Sequence, residues 1–171
     1  MPGIEVRALA PSDDRSTFHS GNPDLDRFFI RYAGQNQFKH HIGTTYVAVE
    51  EGRVLGFVTV SASHIETPKL PQAVRRKLPQ YPLPVLRLAR LAVDQSAQGR
   101  GVGEVLLRAV FFLAKHMAVH VGCIGVVVDA KPEAFGFYEG YGFAKLDVLQ
   151  GQLGDRPEPL PMFLSLGGIA G

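Results

Sequence analysis

The stretch with the most chemical content is Gln98-Gly99-Arg100-Gly101-Val102-Gly103, lying between an apolar run, VLRLARLAV, and an amphipathic one, VGEVLLRAV. Glycine tolerates positive φ and lets a ligand approach the backbone closely. A helix that starts here leaves N–H groups unpaired and places a partial positive charge beside them. Together these make a site for a phosphate or pyrophosphate. A Walker A loop would need GxxxxGK followed by Ser or Thr, but Glu104 follows the last glycine, which argues against an NTPase. A dinucleotide fingerprint needs GxGxxG, and Gly99, Gly101 and Gly103 are spaced two apart, which argues against NAD. The pattern that remains is Gln or Arg, two residues, Gly, one residue, then Gly or Ala; Gln98, Gly101 and Gly103 fit it. The plainer account is a tight turn that needs glycine only for shape, and three glycines are more than such a turn requires.

The elements that must hold this turn can be read on either side. IEVRAL alternates as a short strand. In GNPDLDRFFIRYAGQNQ, Asn22 suits a helix N-cap, Pro23 the first helical position, and Asp24 and Asp26 the positive end of the dipole. Leu25, Phe28, Phe29 and Tyr32 recur at helical spacing and should form a buried face. TTYVAVEEGRVLGFVTVSAS reads as an antiparallel hairpin turning at Glu51-Gly52. Proline clusters at Pro68–Pro84 and again at Pro157, Pro159 and Pro161; both are expected as excursions, the first with a short helix in QAVRRKL.

VLRLARLAV is a strand, and Val102, Val105, Leu106, Ala109, Val110 and Leu113 set the apolar face of the following helix. CIGVVVDA is expected as a strand buried on both faces. Pro132 opens a short helix through AFGFYEG with Gly142 as its stop, and FAKLDVL and MFLSL are closing strands. The order β-α-(α)-β-β-β-α-β-α-β-β predicts an α/β fold with a mixed sheet.

Length and charge set the outer limits. The chain has 171 residues, 18 basic and 16 acidic, for a net charge of +2. That suits one domain over residues 1–171, since domains commonly run about 100–200 residues. With 46% hydrophobic residues it can bury a core, which excludes wholesale disorder. The single cysteine, Cys123, excludes an internal disulfide framework. No apolar run approaches the roughly 18 residues of a membrane span, and the N-terminus lacks the core of a signal peptide. A cytoplasmic protein with no membrane contact is expected.

The chain resembles the GNAT superfamily of acyl-CoA-dependent N-acyltransferases. Gln98–Gly103 resembles its pyrophosphate loop, Arg90-Leu91-Ala92-Val93 the preceding strand that pairs with the pantetheine arm, and Phe137-Tyr138-Glu139-Gly140-Tyr141-Gly142-Phe143 its FYxxxGF segment. GNPDLDRFFIRYAGQNQFKHHIGTTYVAV, VRRKLPQYPLPVLRLARLAVD and PMFLSL are similar to one branch, the toxins of bacterial toxin–antitoxin pairs that acetylate the α-amine of aminoacyl-tRNA. The resemblance implies a GNAT fold, a twisted mixed sheet flanked by helices, with acetyl-CoA as co-substrate and no metal. Leu91, Ala92, Val93, Gln98, Gly99, Arg100, Gly101, Val102 and Gly103 would hold the acetyl-CoA. Tyr138 would be the general acid: a phenol of pKa about 10 can donate to a thiolate of pKa about 8.5. The plainer account of Tyr138 is an aromatic packed like Phe135 or Phe137, and Tyr141 is expected to pack. It also implies aminoacyl-tRNA as substrate, a ribbon-helix-helix antitoxin as partner, and a homodimer.

An α-amine with a pKa of about 8 needs less help to become neutral than a lysine at about 10.4, and no strong base stands out in the sequence. Glu133 and His64 are expected to be solvated. Arg75-Arg76-Lys77, Lys39 with its neighbouring histidines, and Arg87 with Arg90 would suit a phosphate backbone if they share a face. On a regular strand Arg87 and Arg90 point to opposite faces. For Arg75-Arg76-Lys77 a solvated helix face is an equal account on sequence alone, and the resemblance tips it toward RNA. His116 and His120 lie four apart on a helix without a third ligand, and Cys123 is expected to pack. The same chemistry on a small amine or a protein N-terminus, or a CoA- or partner-binding module without turnover, are the competing functions.

Overall fold

The computed structural model describes residues 3–146 and 159–169. In chain order it contains β1 (Glu5–Ala8), α1 (Pro23–Arg27), β2 (Thr44–Glu50), β3 (Arg53–Ile65), α2 (Gln72–Arg75), β4 (Leu83–Val93), α3 (Val102–His120), β5 (Gly125–Ala130), α4 (Phe135–Glu139), β6 (Ala144–Lys145) and β7 (Leu160–Ser165). The strands form one sheet in the order β1-β2-β3-β4-β5-β7-β6. β1–β2, β2–β3, β5–β7 and β6–β7 are antiparallel. Between the neighbours β4 and β5 the chain runs through α3, the kind of crossover that parallel strands require. This is the mixed α/β architecture expected from the element order. The chain divides into two compact units, residues 1–61 with 88–112 and residues 62–87 with 113–171.

The first unit is organised around aromatic rings. Phe29 stacks face to face on Phe57 at 4.3 Å, and Phe18 meets both edge-on at 4.8 and 5.5 Å. Leu9, Phe28, Ala33, Val47, Val49 and Ala92 complete the buried cluster. The Asn22 side chain caps α1 as its sequence predicts, accepting from the amides of Asp24 and Leu25. Beyond α1 the helix does not keep its expected face. It widens into π-helical turns at Phe28–Tyr32 and Gln35–His40. A π turn holds an extra residue, so the face advances: Tyr32 comes out 45% exposed, and Ala33 takes the buried place at 1%. The β2–β3 hairpin turns at Glu51 (φ 50°) and Gly52 (φ 78°), the paired left-handed residues of a type I′ turn. The ladder skips one residue between Ala48↔Gly56 and Val49↔Val54, leaving Leu55 as a bulge.

In the second unit, the proline-rich excursion is packed. Leu70 is fully buried among Ile65, Leu83, Val85 and Phe163, and the Thr67 hydroxyl contacts the carbonyls of Pro79 (2.7 Å) and Tyr81 (3.2 Å). β5 is not buried throughout: Val126, Val128 and Ala130 are, whereas Asp129 is exposed. Here β5 alternates because only one of its faces is covered at Asp129. Pro161, expected in an excursion, lies inside β7 opposite Asp129. Pro157, and residues 147–149 of the expected strand over 143–149, lie outside the described residues.

The buried residues of α3 are Val102, Leu106, Leu107, Val110, Phe111 and Ala114. Val105, Ala109 and Leu113, expected to be buried, are only half-buried. The apolar arc of this helix is wider than the face that packs, so periodicity cannot choose which edge is covered.

Candidate active site

β4 ends at Val93 and gives way to a 3₁₀ turn over Gln95–Ala97, the glycine turn, and then α3 at Val102. Gly99 and Gly101 both adopt φ of 81°. A Cβ on Gly99 would meet nothing within 4 Å, so backbone conformation, not room, requires glycine there. The first α3 bond runs from the Val105 amide to the Gly101 carbonyl at 3.1 Å. Among the described residues, no protein acceptor meets the amides from Gly99 to Gly103. Open N–H groups at the start of a 19-residue helix form a cradle that can accept the oxygens of an anion such as a pyrophosphate.

The side chains around this cradle are committed to holding it. The Gln98 amide nitrogen donates to the carbonyls of Ser20 (2.9 Å) and Val93 (3.1 Å), so this side chain pins the turn. Arg100 is ion-paired with Glu50 at 2.8 Å, and that contact holds the Glu50 carboxyl below its ordinary value. Ala92 faces the buried cluster, while Leu91 and Val93 stay half-buried on the strand's other side.

The sequence motifs do not single out Asp94. Its carboxylate is buried and accepts from the His19 amide (2.8 Å), the Ser96 amide (3.1 Å), the Ser96 hydroxyl (2.6 Å) and Arg53 (3.4 Å). Burial pushes the carboxyl up, but the Ser96 hydroxyl, the two backbone N–H groups and Arg53 outweigh it and leave the pKa below the usual range. The local signal was there: an Asp two residues before a Ser, at a strand end, marks an Asx-type turn.

Tyr138 belongs to the second unit. Pro132 opens a 3₁₀ turn over Pro132–Ala134 that runs into α4, and Gly142 beyond it has φ of 98°. The ring is 5% exposed and packs edge-on against Phe137 at 5.2 Å and Phe143 at 5.3 Å. Its hydroxyl has no hydrogen-bond partner among the described residues. Burial pushes the phenol well above its ordinary pKa. Tyr141 packs on Phe137 at 5.3 Å.

The basic residues fall into different settings. Arg76 and Lys77 are exposed just after α2, and Arg75 donates to the Pro68 carbonyl at 3.0 Å. Arg87 forms an ion pair with Asp129. Arg90 is half-buried, with its guanidinium 3.8 Å from the centroid of Phe28, in a cation–π contact. Lys39 is exposed on the second π turn. Lys39, Arg90, Leu91–Val93 and the glycine turn lie in the first unit; Arg75–Lys77, Arg87 and Tyr138 lie in the second. Glu133 and His64 are exposed. His116 and His120 are exposed with ring centroids 6.1 Å apart. Cys123 is buried, donates to the Gly125 carbonyl at 3.2 Å, and has its thiol pKa raised by burial. Among the described residues no helix is long and apolar enough to cross a membrane.

A mixed sheet, a glycine turn with open amides at a helix start, and a buried tyrosine after a β-strand define an acyl-CoA-dependent acyltransferase. Residues 41–145 match the Acetyltransferase (GNAT) domain, and the chain belongs to this family. It is an acetyl-CoA-dependent N-acetyltransferase. It is 35% identical over 138 residues to a tRNA-acetylating toxin of Mycobacterium tuberculosis, covering 80% of this chain and 82% of that one. The crystal structure of a tyrosine-to-phenylalanine mutant of KacT superposes with a TM-score of 0.85 at 28% identity, covering 96% of both chains. AtaT complexed with acetyl-methionyl-tRNAfMet superposes with a TM-score of 0.83 at 25% identity, covering 96% of this chain and 95% of that one.

Proposed function

We propose that this enzyme acetylates the α-amine of aminoacyl-tRNA and so acts as a translation-blocking toxin. The observation that carries the acetyl-CoA half is the row of unpaired amides from Gly99 to Gly103. Likeness to the tRNA-acetylating toxin along four-fifths of the chain supports the acceptor. Acetyl-CoA supplies the activated acetyl thioester. The amides of residues 99–103 grip its diphosphate, with Arg100 adding charge, and the Leu91–Val93 backbone orients the arm. The neutral acceptor amine attacks the thioester carbonyl carbon directly; the C–N bond forms, the C–S bond breaks, and the proton the amine sheds passes to solvent, which restores the proton Tyr138 gives to the thiolate. With a reference pKa near 8, about a tenth of an α-amine is neutral at pH 7, so no strong base is needed.

Tyr138 donates a proton to the departing thiolate. Its burial guarantees that the phenol is protonated near neutrality. A raised pKa makes the phenol a weaker donor, and loss of solvent around the departing thiolate raises that group's own proton affinity and offsets the difference. Of the basic residues, the exposed Arg76, Lys77 and Lys39 are the most available for phosphate contacts, whereas Arg75 is bonded to the Pro68 carbonyl, Arg87 is paired with Asp129 and Arg90 lies on the Phe28 ring, so each of these three would have to leave its partner to join. A tRNA acceptor places the enzyme in the cytoplasm. The partner is a small ribbon-helix-helix antitoxin, and the working form is a homodimer.

The test uses labelled acetyl-CoA with charged and uncharged total tRNA, comparing wild type with Tyr138→Phe. Label is expected on charged tRNA alone. Label on free polyamines and never on charged tRNA would replace the acceptor with a small amine.

A further inference from the structure

We propose that Asp94 is a positioning residue for acetyl-CoA: by tying the His19–Ser20 segment to the turn after β4, it holds the Gln98–Gly103 amides ready for a pyrophosphate. This rests on the reading of residues 98–103 as the acetyl-CoA cradle.

Two glycines at positive φ give that turn a large conformational freedom, and its open amides gain nothing from the protein by staying aligned. Alignment must come from its ends. Val102, 1% exposed at the start of α3, fixes the far end. The near end is fixed by Asp94 and Gln98. One Asp94 oxygen takes the His19 amide at 2.8 Å; the other takes the amide and hydroxyl of Ser96 and faces Arg53. The Asp94 amide donates to the carbonyl of the bulged Leu55 at 2.8 Å.

Two bonds return to the same segment: Gln95 N–H to the His19 carbonyl at 2.8 Å, and Gln98 Nε2 to the Ser20 carbonyl at 2.9 Å. Ser20 is held in turn by the buried Asp26 of α1, through its amide at 3.0 Å and its hydroxyl at 2.6 Å. The glycine turn is thus braced against the start of α1 by residues more than seventy positions away. All four groups around the Asp94 carboxylate are donors. An asparagine would accept with one oxygen only and turn its own donor toward another.

The experiment measures the coenzyme A Kd by calorimetry, and kcat and KM for both substrates, on wild type, Asp94→Asn, Ser96→Ala and Met162→Ala. Met162 is fully buried in β7 and serves as a control for general loss of stability. Asp94→Asn is expected to weaken coenzyme A binding and raise the acetyl-CoA KM by about tenfold, the loss of one charge-assisted hydrogen bond. Its kcat at saturating acetyl-CoA and its acceptor KM should stay near wild type. Ser96→Ala, which removes the hydroxyl's bond to Asp94 and its contact with Arg53 but leaves the Asp94 charge, should show a smaller change in the same direction; it decides the matter if Asp94→Asn does not fold. Coenzyme A affinity unchanged in a folded variant, or an equal change in Met162→Ala at a matched loss of Tm, overturns the role of Asp94 while leaving the cradle. A wild type that does not bind coenzyme A overturns both.

Discussion

Gly56 and Ala92 lie so close across β3 and β4 that a Cβ on Gly56 would sit 3.0 Å from the Ala92 carbonyl oxygen. It would also sit 3.1 Å from side-chain carbons of Val102 and Leu106, in the first turns of α3. A missing side chain therefore lets the helix that begins at the glycine turn, the proposed acetyl-CoA cradle, settle onto the sheet. Gly56→Ala should cost about 1–3 kcal/mol as the helix start is pushed away. Because Val102 directly follows the glycine turn, the same change should weaken coenzyme A binding. Urea denaturation and calorimetry on one preparation check both; loss of stability with intact affinity would show that the helix start does not set the cradle.

Tyr138→Phe removes a hydroxyl that bonds to nothing among the described residues and leaves the ring packing intact. Stability should be unchanged or slightly higher. The kcat should fall about a hundredfold, the ordinary contribution of one proton donor, with the acetyl-CoA KM little altered. Steady-state kinetics beside a thermal melt separates the two effects.

Glu50 neutralises Arg100 at the mouth of the cradle, and its negative charge opposes an arriving diphosphate. Glu50→Gln should tighten coenzyme A binding a few-fold, and Arg100→Ala should weaken it. The gain should shrink as salt is raised, because both groups are exposed to screening. Calorimetry at low and high salt measures it.

The pH dependence of stability follows from carboxylates held below their ordinary values. Asp94 is stabilised as the anion, and Asp13 likewise by its hydrogen bond and ion pair with Arg7. A lowered folded pKa gives stability that is present above the unfolded value, about 3.9 for Asp, and is lost as pH falls through the folded one. Wild type should therefore lose stability progressively from about pH 4 downward. Asp94→Asn should be less stable at pH 7 and show a shallower acid slope. Denaturant midpoints from pH 7 to 2.5 test the sign.

If Lys77 meets a phosphate of tRNA, Lys77→Ala should weaken binding of every charged tRNA alike. It should reduce the slope of log K against log salt by about one. Filter binding across a salt series decides; an unchanged slope would make this a solvated end of α2.

Much of this protein is legible in its sequence. The glycine turn, the Asn22 cap, the Glu51-Gly52 hairpin and the strand–helix order are set by neighbours a few residues apart: a φ only glycine takes easily, a side chain reaching its own helix start, an apolar period. Such short-range demands leave their mark in the sequence. What the tertiary structure alone decided lies between residues far apart in the chain. Asp94 finds the amide of His19 and Arg90 finds the ring of Phe28 only once strands and helices have packed. Packing also turned Tyr32 outward through a π turn and chose which edge of the α3 arc to cover, because those outcomes depend on what each surface meets and not on the period that made it apolar.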